Sequence, residues 1–152
     1  MSLIKNFLLI LLLSVYSFSF DKLYFMPQDS AIAKNDIIKL LENSTKSIDI
    51  AVYNFTYKKF NKAIKKALKN NVKVTIIYSK TKLKFSKKID LIKTKRKQHI
   101  KLAIIDNKYV IYGSANWKKE SFSKNYEILN ITDDKQRVKE FIKIFKQLKG
   151  EN

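Results

Sequence analysis

The sequence predicts a single α/β domain, a mixed β-sheet flanked by helices. Two observations carry that reading. Runs rich in β-branched and aromatic residues alternate with stretches whose apolar residues recur at helical spacing, as strands and helices layered on one sheet do. The chain has 152 residues, 45% of them hydrophobic. That suffices for one real core, is too little for two domains, and is too apolar for a disordered chain.

The elements follow in order. Met1 to Phe20 reads MSLIKNFLLILLLSVYSFSF. Lys5 supplies a positive start, Phe7 to Tyr16 an apolar run, and Ser17 and Ser19 small residues at −3 and −1 of a cut after Ser19. The run is short of the ~20 residues a spanning helix needs, although Phe18 and Phe20 prolong it. Residues 1–19 are therefore expected to be a signal peptide or an N-terminal membrane anchor, with the domain at 20–152. Either way the domain acts outside the cytoplasm: periplasmic or extracellular, or anchored to the inner membrane facing outward.

Lys22 to Met26 is a short strand stopped by Pro27. Asp29 or Ser30 caps a helix with Ile32, Ile37, Ile38, Leu40 and Leu41 as its apolar positions. Ser47 to Phe55 reads as a buried strand. Thr56 caps a second helix, in which Phe60, Ala63, Ile64, Ala67 and Leu68 form one face. Asn70-Asn71 ends it in the left-handed conformation. Val72 to Tyr78 is a strand. Gln98 to Ile105 and Tyr109 to Tyr112 are two more, joined by a tight turn at Asp106-Asn107-Lys108. Ile128 to Ile131 is a short strand, and Arg137 to Leu148 a last helix with Val138, Phe141, Ile142, Phe145 and Leu148 on one face.

Residues 79–97, SKTKLKFSKKIDLIKTKRK, break that regularity with nine basic residues and one acid. They read as a solvated loop or as a basic arm beside a polyanion site. In the second case Lys80, Lys82, Lys84, Lys95, Arg96 and Lys97 are nucleic-acid-binding candidates, and Tyr78 and Phe85 either stack on bases or pack in the core.

Lys and Arg number 32 against 13 Asp and Glu, a formal net charge of +19. A coding bias toward Lys, Asn and Ile accounts for much of the lysine but not for the sparse acids. A positive field of that size attracts nucleic acid, anionic lipid or acidic polymers. With no cysteine there is no disulfide framework, iron–sulfur cluster or thiol nucleophile. One histidine rules out any site needing two histidines from one chain, and Cys/His zinc sites with it.

That histidine opens the segment HIKLAIIDNKYVIYGSAN, residues 99–116. On a strand, His99 and Lys101 share a face. An ammonium beside an imidazole suits a phosphate: it neutralises phosphoryl oxygens and keeps the imidazole neutral and nucleophilic. Gly113 lets backbone approach a phosphate. Ser114 and Asn116 offer donors to a phosphorane's oxygens. The spacing His-x-Lys-x4-Asp-x6-Gly-Ser-x-Asn fixes six residues, which chance supplies in ~150 starts with a probability of roughly 10⁻⁶. A satisfied structural histidine is thereby a poor account of His99.

This spacing resembles the HKD motif of the phospholipase D superfamily at every signature position. Tyr53-Asn54-Phe55-Thr56, Trp117 and Asn125-Tyr126-Glu127 extend the resemblance, which covers residues 23–147 and is closest to single-motif Nuc-type bacterial endonucleases and their mitochondrial cardiolipin hydrolase/Zucchini relatives. One departure is Tyr78-Ser79 after the third strand, where such proteins often carry an aspartate. The resemblance implies a phospholipase D-like α/β sandwich and, since members use two motifs, a homodimer with a shared active site. It implies His99 as nucleophile, the second copy's His99 as general acid, and Lys101, Ser114 and Asn116 as phosphoryl ligands. Glu127 would orient His99, and Asp106 would support the site geometry without carrying a proton. No metal or cofactor is expected. The substrate implied is DNA, with a preference for single strands open. The alternatives are a phospholipid such as cardiolipin, which a retained leader and membrane association would suit, and an idle nucleic-acid-binding module, which the intact motif argues against.

Overall fold

The computed structural model describes residues 19–152, so the leader, Ser19 apart, lies outside the described residues. The elements are β1 (Asp21–Met26), α1 (Ser30–Glu42), β2 (Ser47–Phe55), α2 (Lys58–Lys69), β3 (Lys73–Thr81), β4 (Asp90–Lys93), β5 (Lys101–Ile105), β6 (Tyr109–Gly113), α3 (Lys119–Ser123), β7 (Glu127–Thr132) and α4 (Lys135–Gly150). The strands form one sheet in the order β1-β7-β6-β5-β2-β3-β4. β2, β3 and β4 run parallel, and the other pairs are antiparallel. The sheet is mixed, as the sequence predicts.

Helices cover both faces. Ile48, Ile50 and Val52 of β2 and Ala103 and Ile105 of β5 join the larger core with α1, α2 and α3, while Ala51, Leu102 and Ile104 meet Val138 and Phe145 of α4. β2 and β5 thus present apolar side chains alternately to two helical layers, which is why both read as continuous apolar runs. All five predicted face residues of α2 are buried. Removing each such large side chain from water contributes about 1.5–3 kcal/mol. Phe85 and Tyr78 pack against this core, Phe85 edge-on to Phe55 at 5.3 Å between centroids. They take the core role rather than the base-stacking one.

Several local expectations are corrected. Asp29 occupies the cap position of α1 without capping it, because its carboxylate accepts from the Phe25 N–H at 2.8 Å. Tyr57, not Thr56, precedes α2, and no side chain caps it. Ile32 of α1 is exposed rather than part of the core face. α4 starts two residues earlier than predicted, where the Asp134 carboxylate accepts from the Arg137 N–H at 2.8 Å. The stretch after β3 is not a simple loop, for it contains β4, an edge strand paired with Thr75–Tyr78. The turn at 106–108 holds as predicted: Asp106 and Asn107 have φ of 56° and 53°, and Lys108 N–H donates to Ile105 O at 2.9 Å. Those dihedrals belong to a hairpin turn that follows the sheet's twist. Asn71 likewise takes the left-handed conformation after α2, with φ 60°.

Candidate active site

The carboxyl ends of β2, β3 and β6 and the amino ends of β5 and β7 meet at one edge of the sheet. His99, Lys101, Ser114, Asn116 and Glu127 all stand at that edge. The β5 ladder begins at Lys101, so His99 stands two residues ahead of the strand rather than on it. The segment still follows the ladder, because Tyr53 N–H donates to Ile100 O at 3.1 Å. His99 is exposed, and its imidazole takes part in no hydrogen bond among the described residues. The Tyr53 ring packs beside it at 5.3 Å and 57°. An exposed ring oriented by packing alone leaves both nitrogens available for chemistry.

Lys101 is buried, 7% exposed, and its Nζ donates to the His99 carbonyl at 2.7 Å. Burial pushes its pKa down, against the opposing attraction of Glu127 and Tyr53. One hydrogen bond leaves two of its three N–H donors for a ligand. The same Tyr53 ring lies under Lys80 Nζ at 5.4 Å and Lys101 Nζ at 5.9 Å. The neighbouring Lys80 is the main cause holding the Tyr53 phenol below its ordinary pKa. Tyr53 thus links His99, Lys101 and Lys80, a role that its place in the sequence resemblance did not reveal.

The other half of the motif is held by backbone. Asn116 Oδ1 accepts from Asn54 N–H at 3.2 Å, which leaves its amide nitrogen as the outward donor. Trp117 O accepts from both Thr56 and Tyr57 N–H at 2.9 and 2.8 Å, and Trp117 forms a parallel bridge with Phe55. These bonds fasten the motif's end to the exit of β2.

Ser114 and Glu127 pair with each other. Ser114 Oγ donates to Glu127 Oε2 at 2.5 Å and accepts from Ile128 N–H at 3.1 Å, and Asn125 Nδ2 donates to Glu127 Oε1 at 3.1 Å. Both carboxylate oxygens are therefore engaged, and neither bonds His99 as expected. The hydroxyl proton of Ser114 is likewise spent on Glu127 rather than left for a phosphate.

Gly113 has a different reason from the expected one. Its φ is +154°, and a Cβ there would lie 2.2 Å from Ile128 O and 2.9 Å from Leu129 Cα. The missing side chain is what lets β6 close against β7. Asp106 departs further. It sits at the opposite end of β5, about 17 Å along the strand from Lys101 at ~3.3 Å per residue. Its carboxylate accepts from the N–H groups of Thr45, Lys46 and Ser47 and from the Thr45 hydroxyl, at 2.7 to 3.2 Å. Burial works to raise its pKa, but the backbone donors, Thr45 first, outweigh it and hold the carboxyl below the usual range. Asp106 is a staple of the fold.

The basic-arm candidates are exposed but do not form one surface. Lys80 and Lys82 line a groove with Asn54 near His99. Lys95, Arg96 and Lys97 line another beside Glu151 at the end of α4. Lys84 faces Lys65 and Lys69 of α2. Lys93, not among the candidates, joins Lys80 and Lys82 because β4 pairs in parallel with β3.

Known proteins match this arrangement. Residues 37–149 fit the family described as cardiolipin synthase, PLD-like domain. Fifty residues are 42% identical to mitochondrial cardiolipin hydrolase of Xenopus laevis, a match spanning 33% of this chain and 24% of that protein, about a quarter of the relative's length. NucT from Helicobacter pylori superposes with a TM-score of 0.76 at 28% identity, over 88% of this chain and 97% of that one. Nuc from Salmonella typhimurium, a phospholipase D family member, superposes at 0.72 with 20% identity over 88% and 95%, which shows the shared fold. A histidine-and-lysine phosphate site at the edge of this sheet, in a chain matched to the family over most of its length, has one reading: the protein belongs to the phospholipase D superfamily, whose members are phosphodiesterases.

Proposed function

We propose that the protein is an exported, metal-independent nuclease that cleaves DNA through a phosphohistidine in a homodimeric site. The observation that carries this is the pairing of an accessible imidazole at His99 with the buried ammonium of Lys101 at the mouth of a lysine-lined groove. A nitrogen of His99 attacks phosphorus. The N–P bond forms as the bond to the leaving oxygen breaks, and His99 of the second copy gives that oxygen its proton. The same group then takes a proton from water, whose oxygen attacks phosphorus and frees His99. Lys101 and the Asn116 amide hold the phosphoryl oxygens. Glu127, held by Ser114 and Asn125, sets the field around Lys101 and, on closure of the dimer, the orientation of an imidazole.

One histidine per chain is what calls for the second copy. Phe25, Tyr126 and Ile128 form an exposed apolar strip beside Glu127, with the Phe25 and Tyr126 rings stacked at 5.9 Å, and that strip is surface a second copy would cover. The chain's +19 charge and its likeness to NucT favour nucleic acid. The identity with a cardiolipin hydrolase supports a second reading, hydrolysis of a cardiolipin-type phospholipid by the same residues.

The test is to incubate the protein and its His99→Ala variant, in excess EDTA, with labelled single- and double-stranded DNA and with cardiolipin vesicles. DNA cleavage by the wild type alone is expected. Vesicle hydrolysis without DNA cleavage would move the assignment to the lipid, and activity in the His99→Ala variant would remove the nucleophile. A monomer that retains full activity in light scattering would end the shared-site scheme. An N-terminal sequence beginning at Phe20 on protein recovered outside the cytoplasm would mark a cleaved leader.

A further inference from the structure

Next to His99 the carboxyl ends of β2 and β3 and the end of β4 enclose a groove of about 460 Å³, lined by Asn54, Ser79, Lys80, Thr81, Lys82 and Lys93. We propose that this groove is a subsite for a second phosphate, covalently linked to the one attacked at His99. The inference rests on the phosphodiesterase reading above and adds where the rest of the substrate lies.

Three observations point to it. The groove is continuous with the reaction site. Asn54, on its wall, holds Asn116 through its N–H, and the neighbouring Tyr53 ring has His99, Lys101 and Lys80 all within 6 Å of its centroid. A phosphate at Lys80 is therefore within one linkage of a phosphate at Lys101. Secondly, the charge is uncompensated. Lys80, Lys82 and Lys93 join no ion pair among the described residues, and no carboxylate lines the groove. The groove of Lys95, Arg96 and Lys97 differs in containing Glu151. The groove beside Lys65, Lys69 and Lys88 also lacks an acid but lies on the flank of α2, away from His99.

The third observation concerns the directional donors, which the fold has already used. Ser79 Oγ is hydrogen-bonded to Thr94 Oγ1 at 2.7 Å, and Thr81 Oγ1 donates to Phe55 O at 2.6 Å. What remains is three flexible point charges and the Asn54 carboxamide, whose oxygen is buried without a partner. Such a lining holds an anion by charge rather than by shape, which suits a phosphate in a chain of variable geometry. Two substrates carry a second phosphate in this relation: a polynucleotide strand, at its neighbouring linkage, and a two-phosphate lipid, at its second headgroup phosphate.

The experiment measures kcat/KM of the full chain on four substrates in parallel. Bis(p-nitrophenyl) phosphate and phosphatidylglycerol vesicles offer one phosphate, while a labelled ten-residue oligothymidylate and cardiolipin vesicles offer more. Lys80→Ala/Lys82→Ala/Lys93→Ala is compared with Lys65→Ala/Lys69→Ala/Lys88→Ala, which removes the same charge elsewhere. The groove variant is expected to lose about 30-fold or more on whichever multi-phosphate substrate the wild type turns over, and about tenfold less than that on the one-phosphate compounds. Its log–log salt slope on oligothymidylate should be shallower by about 2, at ~0.7 per phosphate contact on a single strand. Equal losses from the two triple variants, or equal losses on all substrates, would overturn the subsite.

If cardiolipin is cleaved and DNA is not, the nuclease reading fails while the subsite stands or falls on the cardiolipin-to-phosphatidylglycerol ratio. If no diester is hydrolysed, the phosphodiesterase reading fails. Anisotropy of labelled oligothymidylate then decides the groove: weaker binding by the groove variant than by its control supports it, and equal binding overturns it. Lys80→Ala alone, with its melting temperature recorded, guards against a misfolded triple variant.

Discussion

The β5–β6 hairpin carries the motif, and its two ends treat polar side chains in opposite ways. At the turn, Asp106 spends its carboxylate on three backbone N–H groups and a hydroxyl. At the open end, His99 is exposed with no hydrogen bond to its ring, and Lys101 keeps two donors unspent. Six residues recognised as one signature thus divide into a structural group and a chemical group, about 17 Å apart along the strand. The lesson is that a motif records what must be kept together for the fold as well as for the reaction, and hydrogen-bond satisfaction separates the two.

Four substitutions test that division. His99→Ala should cut turnover by about 10³-fold or more while moving the melting temperature by no more than about 2 °C, since the ring is exposed and unbonded. A large loss of stability would place His99 with the structural group. Gly113→Ala should destabilise by about 3 kcal/mol, read as a fall of roughly 10 °C in Tm, because the new Cβ meets Ile128 O at 2.2 Å. An unchanged Tm would show that the strands can part there, and would return Gly113 to the phosphate.

Asp106→Asn should cost about 2 kcal/mol by urea unfolding, the scale of lost hydrogen bonds to a charged acceptor, with turnover per folded molecule kept. Because the folded carboxyl has its pKa lowered, its contribution is present above the unfolded value near 3.9 and is lost as pH falls through the lower folded value. The stability gap between wild type and variant should therefore close on acidification below about pH 4. A turnover defect without a stability defect would move Asp106 to the reaction. Ser114→Ala should have the smallest effect, about tenfold in kcat or roughly 1.4 kcal/mol, by freeing one side of Glu127. A loss as large as that of His99→Ala would mean that Ser114 touches the phosphate after all.

Much of this was readable from the sequence, and what was not follows a pattern. β2 matched residue for residue because its apolar run faces two helical layers. The α2 face and the Asp106-Asn107 turn were legible because spacing and left-handed preference are local properties. β4 was not. Its four residues are mostly exposed, sit in a lysine-rich stretch, and become a strand only by pairing with Thr75–Tyr78. The caps failed for a similar reason, since Asp29 found a better partner in the Phe25 N–H than in its own helix. At the site, the residue types and their spacing identified the chemistry. The pairings did not follow, because Ser114 with Glu127 and Asn116 with Asn54 are set by how β7 and β2 approach the motif, which no local pattern encodes.

Trp117 is the chain's one tryptophan, 1% exposed, edge-on to Phe55 and Phe60 at 5.1 and 5.0 Å. It lies three residues past Ser114, in the core shared with α2 and α3 and apart from the α4 side. All intrinsic tryptophan light from this molecule therefore originates in one place. Its emission is a local gauge of the catalytic end, and comparing it with circular dichroism would show whether α4 peels away before that end loosens.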